Sequence, residues 1–422
     1  MSRVECTAFP ESYERYQHPS GLTILVNENR ELAKAYAVYA ANFGSVVNHF
    51  RVGEKEVKLP DGIAHFLEHK LFENEEGDAF AKFGKVGGNA NAFTDFDITA
   101  YLFSCTSGFR ENLEILLDFV KRPYFTDQSV QKEQGIIGQE IKMYEDHPGW
   151  RVSFNLLRAL YQKNSVRIDI AGDVDSIAQI TPELLYETYH AFYRPSNMVL
   201  CVSGNASLAD VLAVADRILE PEKPGEPVVR LTEQEPAEIT QSFITQQLPV
   251  AKPIFAIGYK DTDPAHGVEL ARRECGMEIL ANLLFGKASP FYNKLYEEGL
   301  INSEFGAGYA CSDTFAYLEI EGESDRPEQV FERVKAEVAR VRAEGLDRAA
   351  FERSKKLVYG RLIASANLPE NIGNMMARSF FLAQRYYDRF EAAKGIAYEE
   401  VEALLPKLEE SAAALSTITP QK

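Results

Sequence analysis

Positive charge, cysteine and long apolar runs are all in short supply in this chain. Lys and Arg number 45 against 63 Asp and Glu, a net charge of −18. That balance argues against nucleic-acid phosphate and anionic bilayers as partners, because both are held by basic surfaces, and leaves room only for a local basic cavity. No run of 18 apolar residues occurs, so no membrane-spanning helix is expected. The first twenty residues, MSRVECTAFPESYERYQHPS, lack the continuous apolar stretch of a secretory signal. The five cysteines (Cys6, Cys105, Cys201, Cys275 and Cys311) are scattered and never form C-x-x-C. That spacing argues against a disulfide framework or a thiolate zinc site, and a reducing, cytoplasmic setting is expected. Apolar material is ample: 45% of 422 residues is enough for two or three packed cores.

The chain carries faint signs of duplication. Ala100-Tyr101-Leu102 recurs as Ala316-Tyr317-Leu318, a shift of 316 − 100 = 216 residues. The same shift sets Ile180–Glu183 against Ile396–Glu399, Met198–Val202 against Ala414–Ile418, and Ala35–Ser45 against Ala251–Asp261. Two homologous halves are therefore expected, residues 1–219 and 240–422. Between them, 220–239 is rich in proline and glutamate, which favours an extended linker.

Within the first half, Gly21–Glu28 and Ala35–Ser45 read as strands, and GNANAFTDFDITAYLFSCT reads as a strand pair. Gly62–Phe72 has helical apolar spacing, ENLEILLDFVKRP is an amphipathic helix stopped by Pro123, and Ser129–Asp146 is a long helix. Strands and helices mix without strict alternation. The expected class is α+β, with each half a mostly antiparallel sheet carrying helices on one face.

The chemistry concentrates in His65-Phe66-Leu67-Glu68-His69. On a helix, positions i and i+4 lie about 40° apart, so both imidazoles project from one side and can chelate a single ion. Glu68 shares that side, where a carboxylate can take a proton from water activated by the metal. This is the H-x-x-E-H order, and two imidazoles suit zinc. A third ligand is required. Glu133 and Glu140 stand two helical turns apart on one face of the later helix, opposite Ile136, Ile137 and Ile141, which are expected to pack inward. At the 216 shift, His65, Glu68 and His69 face Ala281, Leu284 and Phe285, so one zinc per chain is expected.

GIAHFLEHKLFE, GGNANAFTDFDITAYLF, the paired glutamates and YRPSNMVLCVSGN together resemble the insulinase or pitrilysin family of zinc metallopeptidases, over nearly the whole chain. The resemblance is greatest to its small bacterial members. It implies two similar α+β domains of the metallohydrolase type found in mitochondrial processing peptidase, paired with a second chain into a closable chamber. Position by position it implies zinc held by His65, His69 and Glu140, Glu68 as general base, and Glu133 as a supporting carboxylate. It also implies that Asn89, Asn91, Ala92 and Phe93 belong to an edge strand that binds extended peptide through its backbone.

One departure stands out. Where the family has an Arg and a Tyr in a second-domain stretch like L-R-E-x-x-G-L-x-Y, this chain reads Leu295-Tyr296-Glu297-Glu298-Gly299-Leu300-Ile301-Asn302. The expectation is a zinc endopeptidase acting as the active subunit of a heterodimer, whose zinc-less homologous partner supplies the Arg and Tyr. The alternative is a non-catalytic peptide-binding or scaffold subunit, whose mark would be a damaged metal motif.

Overall fold

The computed structural model describes residues 1–75, 77–221, 225–263 and 265–421, with Asp78 through its backbone only. Seven strands form the first large sheet, in the order Ser2–Glu5, Ser12–Gln17, Thr23–Glu28, Met198–Gly204, Ala35–Ala41, Thr99–Cys105, Asn89–Thr94. Five form the second: Phe243–Leu248, Ala413–Pro420, Ile254–Asp261, Ala316–Glu323, Gly306–Cys311. Both sheets are antiparallel except where the last strand of each half joins an early strand in parallel. The α+β class and the duplication are thus visible as a repeated topology.

The uniform shift of 216 is not. It would carry the cross-strand pair Ala100 and Ala40 onto Ala316 and Ala256, yet Ala316 pairs with Asp261, five residues further on. Loops of unequal length separate equivalent strands, and short apolar strings match at several registers.

Helices of each half cover one face of its own sheet, and the opposite face is covered from the other half. Along Ala35–Ala41, the period of two sends Ala35, Ala37, Tyr39 and Ala41 into one core and Tyr36, Val38 and Ala40 into another. The first core packs under helices of the first half. The second is covered by Pro369–Phe381, a helix of the second half. In exchange, Pro148–Leu160 from the first half lies on the second sheet. Glycines permit both approaches: a Cβ on Gly373 would stand 2.6 Å from the Tyr36 ring, and one on Gly258 would stand 2.7 Å from Leu160. Each half therefore completes the core of the other.

The linker is more than extended chain. Val228–Arg230 pairs with His49–Val52 in a three-stranded sheet. Glu235 accepts the backbone amides of Gln162, Lys163 and Asn164. Lys260, whose side chain is 0% exposed, ion-pairs with Glu235 at 2.6 Å and donates to the carbonyls of Pro236 and Glu238. A buried ammonium needs such partners, and here the linker supplies them. Residues 222–224 of that stretch lie outside the described residues.

Candidate metal centre

The motif helix runs Ile63–Phe72 and is buried on nearly all sides. Helices with that much apolar surface belong in a core, and here Phe66, Leu67 and Leu71 are wholly enclosed. Gly62 caps it at φ +87°, and a Cβ there would come within 2.3 Å of the Ala171 carbonyl. Only glycine meets both demands. The second helix, Asp127–Glu145, starts from a capping box in which Thr126 and Ser129 exchange hydrogen bonds. Of the three isoleucines expected inside, Ile137 and Ile141 are buried, but Ile136 is 47% exposed. Ile136 sits one turn from Glu140, on a different side of the helix from Ile137 and Ile141, and the helical period leaves it at the surface.

The two helices bring His65, His69 and Glu140 together, with one ligand atom from each lying within 4.8 Å of the other two. Among the described residues this is the one such cluster. His65 Nε2 and His69 Nε2 approach the two Glu140 oxygens at 3.7 and 3.6 Å. His69 Nδ1 is 3.0 Å from Glu133 Oε1, a bond that fixes the ring and leaves Nε2 free for an ion. Burial, helped by neighbouring His69, pushes His65 down to about 3, so its imidazole is neutral. Burial also lowers His69, but the Glu133 hydrogen bond and the surrounding carboxylates outweigh it and raise the net value.

Glu68 is buried beside the cluster, which pushes its carboxyl up to about 7 against the pull of His69 and Thr94. The Thr94 hydroxyl donates to Glu68 Oε2 at 3.0 Å. Tyr144 donates to Glu140 Oε1 at 2.9 Å and stacks on Trp150, with ring centroids 4.5 Å apart. Sequence reasoning passed over both Thr94 and Tyr144 as site residues. Their signals were Thr94's position two beyond Ala92 on one strand face, and Tyr144's at i+4 from Glu140.

Asn89–Thr94 is the last strand of the first sheet. Ala90 and Ala92 pack toward the metal-helix core, as does Thr94 through Glu68, whereas Phe93 packs on the opposite core. The period of two puts exposed Asn89 and Asn91 on the Phe93 side, leaving the strand's backbone edge as the feature shared with the metal side. In the second half Tyr296 is 52% exposed and stacks on Tyr292.

Residues 54–174 match the family model described as insulinase (peptidase family M16), and residues 179–358 match the one described as peptidase M16 inactive domain. The chain belongs to the M16 peptidase family. It is 39% identical over 410 residues to the uncharacterized zinc protease YmfH of Bacillus subtilis (strain 168), covering 95% of each. It is 25% identical to the uncharacterized zinc protease YmxG of the same organism, over 87% of each. The crystal structure of an M16-like peptidase from Alicyclobacillus acidocaldarius superposes with a TM-score of 0.94 at 36% identity, over 98% of this chain and 99% of that one. Among the described residues no helix is long and apolar enough to cross a membrane.

Proposed function

We propose that the chain is a zinc endopeptidase that cleaves extended peptides, with Glu68 as its general base. The observation that carries this reading is the convergence of His65, His69 and Glu140 with Glu68 alongside. The donor set fits zinc: two imidazoles and one carboxylate form a three-ligand catalytic set, and one imidazole is already oriented by a carboxylate. Bound there, zinc supplies a Lewis acid that polarises the scissile carbonyl and acidifies nearby water.

The chain's own residues do the rest. Thr94 holds Glu68 Oε2, so Oε1 is the oxygen available to the reaction. Glu68 takes one proton as water adds to the carbonyl carbon, and returns it to the amine nitrogen as the C–N bond breaks. Glu133 keeps His69 in one tautomer. The backbone edge of 89–94 aligns the peptide, in keeping with tolerance of many side chains.

The catalytic unit spans residues 1–219, the connection 220–239, and the unit without zinc ligands 240–422. With neither the family's Arg nor its Tyr at its own position in 295–302, positioning of the substrate falls to a homologous partner, making this chain the active member of a heterodimer. The free cysteines agree with a cytoplasmic setting. In Glu68→Gln, zinc analysis is expected to stay near one per chain while peptide cleavage, assayed with the homologous partner, falls at least about 1,000-fold. Substantial cleavage by that variant would sink the mechanism, and absence of zinc from the purified chain would favour a scaffold role.

A further inference from the structure

We propose that the second half carries a subsite for the basic side chains of an extended peptide, formed by Glu319 and Glu321 over the bare strand Gly306–Cys311. The inference rests on the peptidase reading and adds the class of substrate. Gly306–Cys311 is the outermost strand of the second sheet. In its register Gly308 stands opposite Glu319, and Gly306 opposite Glu321. Glycine leaves those places empty: a Cβ built on either residue meets nothing within 4 Å. The result is a cavity of about 370 Å³ lined by 306–310, Glu319 and Glu321.

On its other flank Glu319 faces Gly258, where Leu156 and Leu160 of the exchanged helix crowd the backbone. The carboxyl is thereby closed off on the helix side and opens toward the glycines. Its Oε1 is buried and has no hydrogen-bond partner among the described residues. An unpaired buried acceptor is costly, and a lysine or arginine head group would satisfy it. Burial, reinforced by Glu321, pushes Glu319 up to about 7, the sign of a carboxyl short of a cation. A peptide strand laid along this edge points alternate side chains to this face. The two carboxylates therefore select cations two residues apart.

The test is binding without turnover. Full-length Glu68→Gln chain is titrated, by fluorescence anisotropy, against fluorescein-labelled alanine–threonine peptides bearing lysine at positions i and i+2, or norleucine at the same positions. The lysine peptide is expected to bind about tenfold tighter. Glu319→Gln/Glu321→Gln removes that preference while leaving norleucine-peptide binding unchanged. Gly308→Leu, whose side chain enters open space, also removes it without lowering the melting temperature. Equal binding of both peptides, or a preference that survives the double variant, overturns the proposal. So does displacement of the lysine peptide by an equal concentration of free lysine amide, which would mark a site for free amines. No zinc chemistry enters the readout, so an inactive chain would not mimic a negative result, and a negative result would leave the metal analysis standing.

Discussion

The two halves answer the same physical problem in opposite ways. Each packs one long-buried helix under its sheet and brings polar groups into an apolar setting. In the first half, Ile63–Phe72 carries His65, Glu68 and His69 against Glu133 and Glu140, a group rich in acceptors with no Lys or Arg ion pair among the described residues. In the second, the helix Gly267–Phe285 contains no histidine, and Ala281, Leu284 and Phe285 are buried near its end. Its carboxylates are elsewhere: Glu274, 4% exposed, pairs with Arg378 at 3.0 Å and Arg389 at 3.3 Å, and Glu278 pairs with Arg389 at 3.3 Å. Buried carboxylates need cations. The second half supplies arginines for the carboxylates of this helix, while the first-half cluster meets none among the described residues and is suited to bind a cation.

The sharpest way to break this contrast is to remove a ligand from one half and an ion pair from the other. His69→Ala is expected to reduce zinc from about one per chain to near none by elemental analysis. Zinc at a thousandfold excess over its Kd, which should stabilise the intact chain by about 4 kcal/mol, would then leave the variant's thermal midpoint unmoved. Glu274→Ala should keep zinc but strand two arginines, costing about 3 kcal/mol in urea unfolding. Equal zinc loss in both variants would show that the halves are not separable. Glu133→Gln lies between them: His69 loses a charged orienting partner, and zinc affinity by competition with a chelator should fall about 10-fold to 100-fold.

The smallest effect concerns pH. Glu319 is raised in the folded chain from the usual 4.5 to about 7, so the native state binds the proton more tightly than the unfolded one. Its stabilising contribution is complete below pH 4.5 and is lost as pH rises through 7. Glu319→Gln should therefore match the parent's melting temperature near pH 4.5 and exceed it by a growing margin up to pH 8. A constant margin would remove Glu319 from the titration.

Much of this protein was legible in one dimension because its signals are local. H-x-x-E-H needs only the helical period to put two imidazoles and a carboxylate on one side. Glu133 and Glu140 need only two more turns, and alternating or continuous apolar runs marked the strands Thr23–Glu28, Ala35–Ala41 and Thr99–Cys105. Composition set the acidic surface and the free thiols. What the tertiary structure alone decided is non-local. The exchange of Pro148–Leu160 and Pro369–Phe381 between halves depends on which sheet face each helix meets, and glycines at 258 and 373 reveal it only when seen against Leu160 and Tyr36. Ile136 turned outward because the helical period sets it on a different side from the buried Ile137 and Ile141. The linker became a strand because His49–Val52 offered an edge. Local periodicity can say which side of an element is apolar. Which neighbour covers that side, and whether a buried carboxylate meets an arginine, an ion or an empty row of glycines, is settled by contacts between residues far apart in the chain.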